Sequence, residues 1–224
     1  MKFHNKASIF PAADLGSHQV EWGIMMMKYA TVVTPGGAEP VIYKNPFYGS
    51  EDLSSGALRW YFDHPVAGIK TVAAHIFNSF SWDYPFVYIY DLAPSYSVAL
   101  PFLVWVLQIL GAYTLVHSSM MFLRKRKYRA PIAAPVLFIA CATGAIIALN
   151  SLVAVENRFN ILPTTLLFVF AANFIQLRLR RVNRKDIIVL AGTVMLASAA
   201  TIGTIRAKDF ADPIVRAAEI TSKQ

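Results

Sequence analysis

The chain of 224 residues is 56% hydrophobic and only 15% charged, a composition typical of membrane proteins rather than of soluble ones. The net charge of +8 could suit nucleic acid, but ten basic residues are concentrated in two short clusters, 124–129 and 178–185, between apolar runs. Short basic loops between spans mark the cytoplasmic side of a membrane, and this rule accounts for the charge without nucleic acid. The single cysteine, Cys141, lies within an apolar run, so the sequence predicts neither a disulfide framework nor a metal cluster.

The first 96 residues predict a partly helical region that lies outside the membrane. Residues 18–33 predict a helix from their apolar spacing, and Pro35-Gly36-Gly37 predicts its end. Residues 39–50 predict a loop, and a short helix is expected to follow it.

Residues 65–80 give the clearest amphipathic pattern, with apolar residues recurring at helical spacing from Ile69 to Phe80. Pro65 suits the first turn, where a missing N–H costs nothing, and Asp63 or His64 can cap the helix. This helix is too short and too polar to cross a membrane, so we expect it to lie flat on the outer membrane surface.

An aromatic side chain occupies every second position of the next segment, at Trp82, Tyr84, Phe86, Tyr88 and Tyr90. Alternation places these rings on one side of an extended chain. They could form a stacking wall for a sugar or a lipid head group. The favoured alternative is an aromatic belt that anchors the chain at the membrane interface.

Four apolar runs predict membrane spans, because a helix needs about 20 residues to cross the hydrocarbon core. They cover residues 97–121, 131–155, 161–179 and 187–205. The predicted fold class is therefore an all-α polytopic membrane protein with about four transmembrane helices after an extracytoplasmic region, 1–96, and before a tail, 207–224. The amides Gln108, Asn150 and Asn173 lie in these spans, where such groups usually bond a neighbouring helix. Asn150 is the exception to watch, because it lies close to the loop at 156–163.

The two basic clusters fix the expected topology. With residues 122–130 and 178–186 in the cytoplasm, the loop 156–163 and both termini lie outside. Residues 1–15 contain no apolar core of a signal peptide that could export the N-terminal region. Either the topology is inverted against both basic clusters, or upstream spans are missing. We expect the second, that the chain is the C-terminal part of a larger protein.

The loop 156–163 combines features that suit an anionic ligand. Asn160 can cap the following helix and Pro163 suits its first turn, so the positive end of the helix dipole points at this surface. Arg158 adds a forked cationic donor suited to phosphate, and Glu156 could orient it or hold a metal. A Glu156–Arg158 pair that merely closes the hairpin is the alternative.

Other candidate residues carry weaker signals. His18, His64 and His75 lack metal-ligand spacing. Asp83 and Asp91 could bind a sugar hydroxyl or act as a base, but capping and turn formation explain them equally well. The catalytic residues stay unknown from the sequence.

The pattern Glu156-x-Arg158-Phe159-x-x-x-Pro163 resembles the E-x-R-[FY]-x-x-x-P motif of polytopic GT-C glycosyltransferases, in the protein-mannosyltransferase and aminoarabinose-transferase-like branch. Two upstream stretches, Gly23-Ile24…Lys28-Tyr29-Ala30-Thr31 and Tyr43-x-Asn45-Pro46-Phe47, resemble the extracytoplasmic loop region of the same branch.

This resemblance implies transfer of a sugar from a polyprenyl-phosphate donor to a lipid, glycan or protein acceptor at the outer face of a bacterial inner membrane. It implies that Arg158 and Lys44 face the donor phosphate, supported by Glu156, Asn150 and Asn160. The aromatic residues near lipid or sugar would be Trp82, Tyr84, Tyr88 and Tyr90. The family's acidic catalytic loop lies in an N-terminal half that has no counterpart here, and a divalent metal is possible in the complete enzyme.

The alternative is a non-catalytic scaffold or accessory subunit of a cell-envelope complex that partners a separate catalytic chain. A transporter is disfavoured, because no predicted span has a charged residue near its middle.

Overall fold

A computed structural model describes residues 11–34, 37–49, 53, 56–82, 96–124, 130–153, 160–178 and 182–207. The chain is mostly helical, as predicted. Its helices are α1 (Pro11–Met25), α2 (Ala57–Asp63), α3 (Pro65–Phe80), α4 (Tyr96–Arg124), α5 (Ala130–Asn150), α6 (Ile161–Arg178) and α7 (Arg184–Ala207), and its strands are β1 (Met26–Thr34) and β2 (Gly37–Lys44).

The β1–β2 hairpin corrects two sequence predictions, the helix at 18–33 and the loop at 39–50. The helix ends at Met25, and the antiparallel strands pair from Met26 with Lys44 to Thr34 with Gly37. The physical reason is that residues 29–34 read Tyr-Ala-Thr-Val-Val-Thr, rich in the β-branched and aromatic types that pack well on a pleated sheet. Apolar spacing alone did not separate this segment from a helix.

Helix α3 spans the predicted residues, with Pro65 at its first position and His64 before it. The His64 side chain makes no capping hydrogen bond to the helix, so neither predicted cap acts in that way. Helix α2 packs beside α3, and Trp60 forms a buried cluster with Ala57 and Ile24 of α1.

Helix α4 is central to the bundle and packs against both α6 and α7. Leu110 of α4 forms a buried cluster with Ala171 and Phe174 of α6. Gly111 lies directly against the α6 backbone, because a Cβ built on it would be only 2.6 Å from the carbonyl carbon of Leu167. The glycine thus permits the close approach of the two helices.

Among the described residues, three helical stretches are long and apolar enough to cross a membrane: Val98–Leu123, Ile161–Arg178 and Arg184–Ala207. The apolar stretch of α5, Ala134–Asn150, is shorter. Three candidate spans therefore stand, and the predicted fourth is not established.

Helix α7 begins at Arg184, three residues before the predicted span. Asn183 precedes it, and its Oδ1 accepts hydrogen bonds from the backbone N–H groups of Lys185 and Asp186 at 2.9 and 3.1 Å. Asp186 Oδ2 accepts from the Asn183 N–H at 3.1 Å, which completes a reciprocal cap that extends the helix into the polar segment.

Candidate functional site at the junction of the N-terminal region and the helix bundle

In α3 the polar side of the helix is buried, which is the reverse of the arrangement in a soluble globular protein. Its buried residues are small or polar, namely Gly68, Thr71, His75, Asn78 and Ser79. Several of its apolar residues face outward instead, with Ile69 72% exposed and Val66 67% exposed. The polar side of α3 therefore builds the contact with the rest of the chain.

His75 is fully buried and bridges three elements. Its Nδ1 lies 2.7 Å from the carbonyl oxygen of Ser151, just after α5, and its Nε2 lies 3.2 Å from that of Met26 in β1. Both neighbours are acceptors, and we place the proton of the neutral ring on Nδ1, where the distance is shorter. Burial lowers the pKa of His75, and nearby carbonyl oxygens of Ser151, Met26 and Gly23 offset part of that effect. The ring is thus held neutral while it ties α3 to β1 and α5.

Gly23 brings α1 against the same end of α5. A Cβ at this position would lie 2.8 Å from the carbonyl oxygen of Leu152 and 2.9 Å from the carbonyl carbon of Val153. Only a residue without a side chain permits this approach of two backbones. Gly23 and His75 therefore join the N-terminal region to the residues that lead into the loop 156–163. We call this contact the junction.

Asn45 fixes the far end of the hairpin. Its Nδ2 donates to the carbonyl oxygen of Ile24 at 2.7 Å and to Thr71 Oγ1 at 2.8 Å. Its Oδ1 accepts from the Phe47 N–H at 3.0 Å, which forms an Asx-type turn. One buried amide thus connects α1, α3 and the segment after β2.

Lys28 is a buried cation in this junction, with 1% of its surface exposed. Its Nζ donates to the carbonyl oxygen of Ser81 at 2.7 Å and lies 5.8 Å from the centre of the Tyr43 ring. A buried ammonium group is costly without such partners, so the surroundings of Lys28 form a polar site within the fold.

The polar contacts continue from Ser81 into the bundle. Ser81 Oγ and Trp105 Nε1 both donate to Thr204 Oγ1, at 3.2 and 3.0 Å. The Phe77 ring stacks on Trp105 at 5.3 Å and lies against Gly203. The end of α3 is therefore seated between α4 and α7.

Asn150, at the end of α5, is in contact with Asn160, which lies within the loop 156–163 directly before α6. Asn150 Nδ2 donates to Asn160 Oδ1 at 3.0 Å, so the end of α5 is tied to the start of α6. Asn160 Nδ2 and Thr164 Oγ1 are buried and have no hydrogen-bond partner among the described residues. Among the described residues, two hydrogen-bonding groups are thus left available at the start of α6.

Among the described residues, a second titratable group outside the spans has a shifted pKa. Burial raises the pKa of Tyr61 to about 12, because the phenolate would be poorly solvated between α2 and α3. Its hydroxyl has no partner among the described residues. It is neutral at any physiological pH and contributes packing.

The structure brings together only part of the predicted site. Asn150 and Asn160 meet, Lys44 is exposed at the end of β2, and Trp82 is half-buried. Glu156, Arg158, Tyr84, Tyr88 and Tyr90 lie outside the described residues. In the described part of the chain, no group of three or more His, Cys, Asp and Glu residues could hold a metal.

The buried groups Lys28, Asn45 and His75 were not among the site residues predicted from the sequence. A signal for His75 was present, since Thr71, His75 and Ser79 recur every four residues on one face of α3.

No family model matches the chain, and comparisons with curated proteins and with solved structures find no match either.

Proposed function

We propose that the chain is part of a membrane glycosyltransferase that uses a polyprenyl-phosphate sugar donor, with the junction and the loop 156–163 on the extracytoplasmic side. The observation that carries the proposal is the Asn150–Asn160 hydrogen bond with its two unpartnered neighbours, Asn160 Nδ2 and Thr164 Oγ1. These groups lie where the chain enters and leaves the segment that contains Glu156 and Arg158.

A phosphate at this position would meet complementary chemistry. Amide and hydroxyl groups donate to phosphate oxygens, the first turn of α6 supplies the positive end of a helix dipole, and Arg158 supplies a forked cation. Lys44 is the second basic residue assigned to the donor. The aromatic residues that would contact sugar or lipid are Trp82, Tyr84, Tyr88 and Tyr90. Glu156 would orient Arg158.

The outward apolar face of α2 and α3 supports a membrane-surface pose. Phe62 is 83% exposed on α2, which packs on α3, and Ile69 is 72% exposed on α3, which contacts α5. Exposed apolar groups of this size are stabilised by lipid rather than by water. In this pose the N-terminal region rests on the bilayer on the same side as the loop 156–163.

Binding of a short-chain polyprenyl phosphate to the purified protein tests the proposed function. Arg158→Ala should weaken this binding about tenfold or more, because a charge-assisted contact with phosphate contributes about 1.5–3 kcal/mol. Arg158→Lys should lie between the two, since it keeps the charge and loses the fork. The dissociation constant can be measured by fluorescence with a labelled lipid.

Arg184→Ala is the matched control, because Arg184 is exposed at the other end of the bundle, at the start of α7. It should bind the lipid like the natural chain. Equal affinity in Arg158→Ala would refute the phosphate role.

A non-catalytic membrane subunit is the second candidate, and one observation favours it. Much of the apolar surface of the candidate spans is exposed, for example Leu103 of α4, Val169 of α6 and Met195 of α7. Such surfaces can receive the helices of a partner as well as lipid. Co-purification with a catalytic chain, together with indifference to Arg158→Ala, would establish this alternative.

A further inference from the structure

A cleft of about 400 Å³ lies between the segment after β2 and the start of α3. Its lining is mainly apolar and carries a single charged side chain; it consists of Phe47, His64, Pro65, Val66, Ala67 and Lys70. The His64 ring stacks on Trp60, with ring centres 5.4 Å apart, so this wall is fixed against α2. The cleft therefore suits a ligand that is partly apolar and carries a negative charge.

The ammonium group of Lys70 is held near an aromatic ring. Its Nζ lies 5.7 Å from the centre of the Phe47 ring, whose face attracts a cation. Lys70 is exposed, and among the described residues no hydrogen bond or ion pair engages its side chain. Its three N–H donors are therefore available to a ligand in the cleft.

The charge around the cleft favours an anion. Lys70 is the only charged residue of α3. Asp63 lies just before the helix, but its Oδ2 is 3.2 Å from Arg59 Nε, so a cation offsets its charge. Among the described residues, no acidic side chain lines the cleft.

The exposed apolar side of α3 lies beside the cleft. Val66 belongs to both, since it lines the cleft and is 67% exposed. Lys70 follows it by four residues and is therefore its neighbour on the helix surface. When this side of α3 rests on a bilayer, the lysine stem lies along apolar groups and the ammonium reaches the head groups. At that level a phospholipid presents its phosphate.

We propose that this cleft binds the phosphate group of an anionic glycerophospholipid, with Lys70 Nζ donating to a phosphate oxygen. Val66 and Ala67 contact the glycerol and the first methylene groups of the lipid. A zwitterionic lipid carries a cation beside the same phosphate and gains less from Lys70. The inference rests on the membrane-surface pose of the proposed function, but not on sugar transfer.

Quenching of a single fluorophore by spin-labelled lipids tests the proposal, with the protein in phosphatidylcholine nanodiscs. In a Cys141→Ser background, the fluorophore is attached at Ile69→Cys, beside the cleft but outside its lining. Phosphatidylglycerol or phosphatidylcholine, each with a nitroxide on the acyl chain near the glycerol, is added at the same low mole fraction. Phosphatidylglycerol should quench about two- to fivefold more, the enrichment expected for one lysine at an anionic lipid surface.

Three variants assign the excess to Lys70. Lys70→Gln should make the two lipids quench equally, whereas Lys70→Arg keeps the charge and should retain the excess. Lys185→Gln removes the same charge from the exposed start of α7 and should also retain it. An excess that persists in Lys70→Gln would overturn the assignment.

A second label position separates the cleft from the membrane-surface pose. Leu103 is exposed on α4, two residues before Trp105, on which Phe77 of α3 stacks. A fluorophore at Leu103→Cys should be quenched equally by the two lipids, and an excess there as large as at Ile69 would overturn the site. Equal quenching at Ile69 would overturn the site and keep the pose. Absence of quenching at Ile69 by either lipid would overturn both.

Two soluble competitors distinguish the source of the phosphate. Inorganic phosphate at constant ionic strength should leave the excess unchanged, and its loss would overturn the lipid assignment in favour of a soluble anion. Lys70→Gln should bind polyprenyl phosphate like the natural chain, because the sugar donor is assigned to Arg158. A loss as large as that of Arg158→Ala would place the donor in the cleft and overturn the assignment, while the Arg158 measurement decides the proposed function separately.

Discussion

Gly111→Ala should lose most of its folded yield, with a destabilisation of about 3 kcal/mol or more. The added Cβ would collide with the backbone of Leu167, including a carbonyl carbon at 2.6 Å, and a helix backbone cannot swing aside as a side chain can. Separating α4 from α6 would also disturb the packing of Leu110 against Ala171 and Phe174. Thermal unfolding of the detergent-solubilised protein, followed by circular dichroism, measures the effect.

Gly144→Ala and Gly192→Ala are the matched controls for this experiment. Both glycines lie inside helices, and a Cβ on either would meet nothing within 4 Å. Because alanine is a better helix former than glycine, these variants should be as stable as the natural chain or slightly more so. If Gly111→Ala resembled these controls, the close contact of α4 with α6 would be wrong.

His75→Leu should destabilise the chain by about 2–4 kcal/mol, the second largest effect expected. Leucine approximately fills the volume of the ring but cannot donate to the carbonyl oxygen of Ser151, which then remains buried and unpaired. The N-terminal region should loosen before the bundle does. Limited proteolysis and thermal unfolding together distinguish this local loss from global unfolding. His18→Leu is the control, because His18 is exposed and bonds Glu21, three residues further along the same helix.

His75 also makes the stability of the folded chain depend on pH in a defined direction. Burial lowers the pKa of His75 in the folded chain below its ordinary value of 6.5, so the unfolded chain binds more protons between the two pKa values. The neutral ring therefore contributes its full stabilisation above pH 6.5 and loses it as the pH falls toward the folded pKa. The melting temperature of the natural chain should fall between pH 7 and pH 5, and His75→Leu should lack this component. A parallel fall in both proteins would assign the effect to other groups.

The helices were predictable where apolar residues recur at helical spacing or form long runs, whichever side of the helix is buried in the fold. Residues 65–80 and the apolar runs that became α4, α6 and α7 have compositions that leave few alternatives. The hairpin was not predictable in this way, because Lys28 and Tyr43 are buried by pairing and by contacts with distant residues. Local periodicity carries no information about such contacts.

The candidate site was predictable only in outline. Asn150 was selected because it lies close to the charged loop and Asn160 because it can cap the following helix, and the two are bonded to each other. His75 was set aside for lack of metal-ligand spacing, yet its partners are backbone carbonyl oxygens that no side-chain motif encodes. Sequence patterns thus indicated the ends of the helices and missed the buried polar residues that join them.

The orientation of the junction is the central claim, and labelling of single cysteines tests it most directly. In a Cys141→Ser background, cysteines at Lys44 and Asn157 should react with an impermeant thiol reagent in intact cells, whereas one at Lys127 should react only after the cells are opened. This pattern would place the N-terminal region and the loop 156–163 outside, as the two basic clusters predict. Reaction at Lys127 in intact cells, with protection at Lys44 and Asn157, would contradict the account.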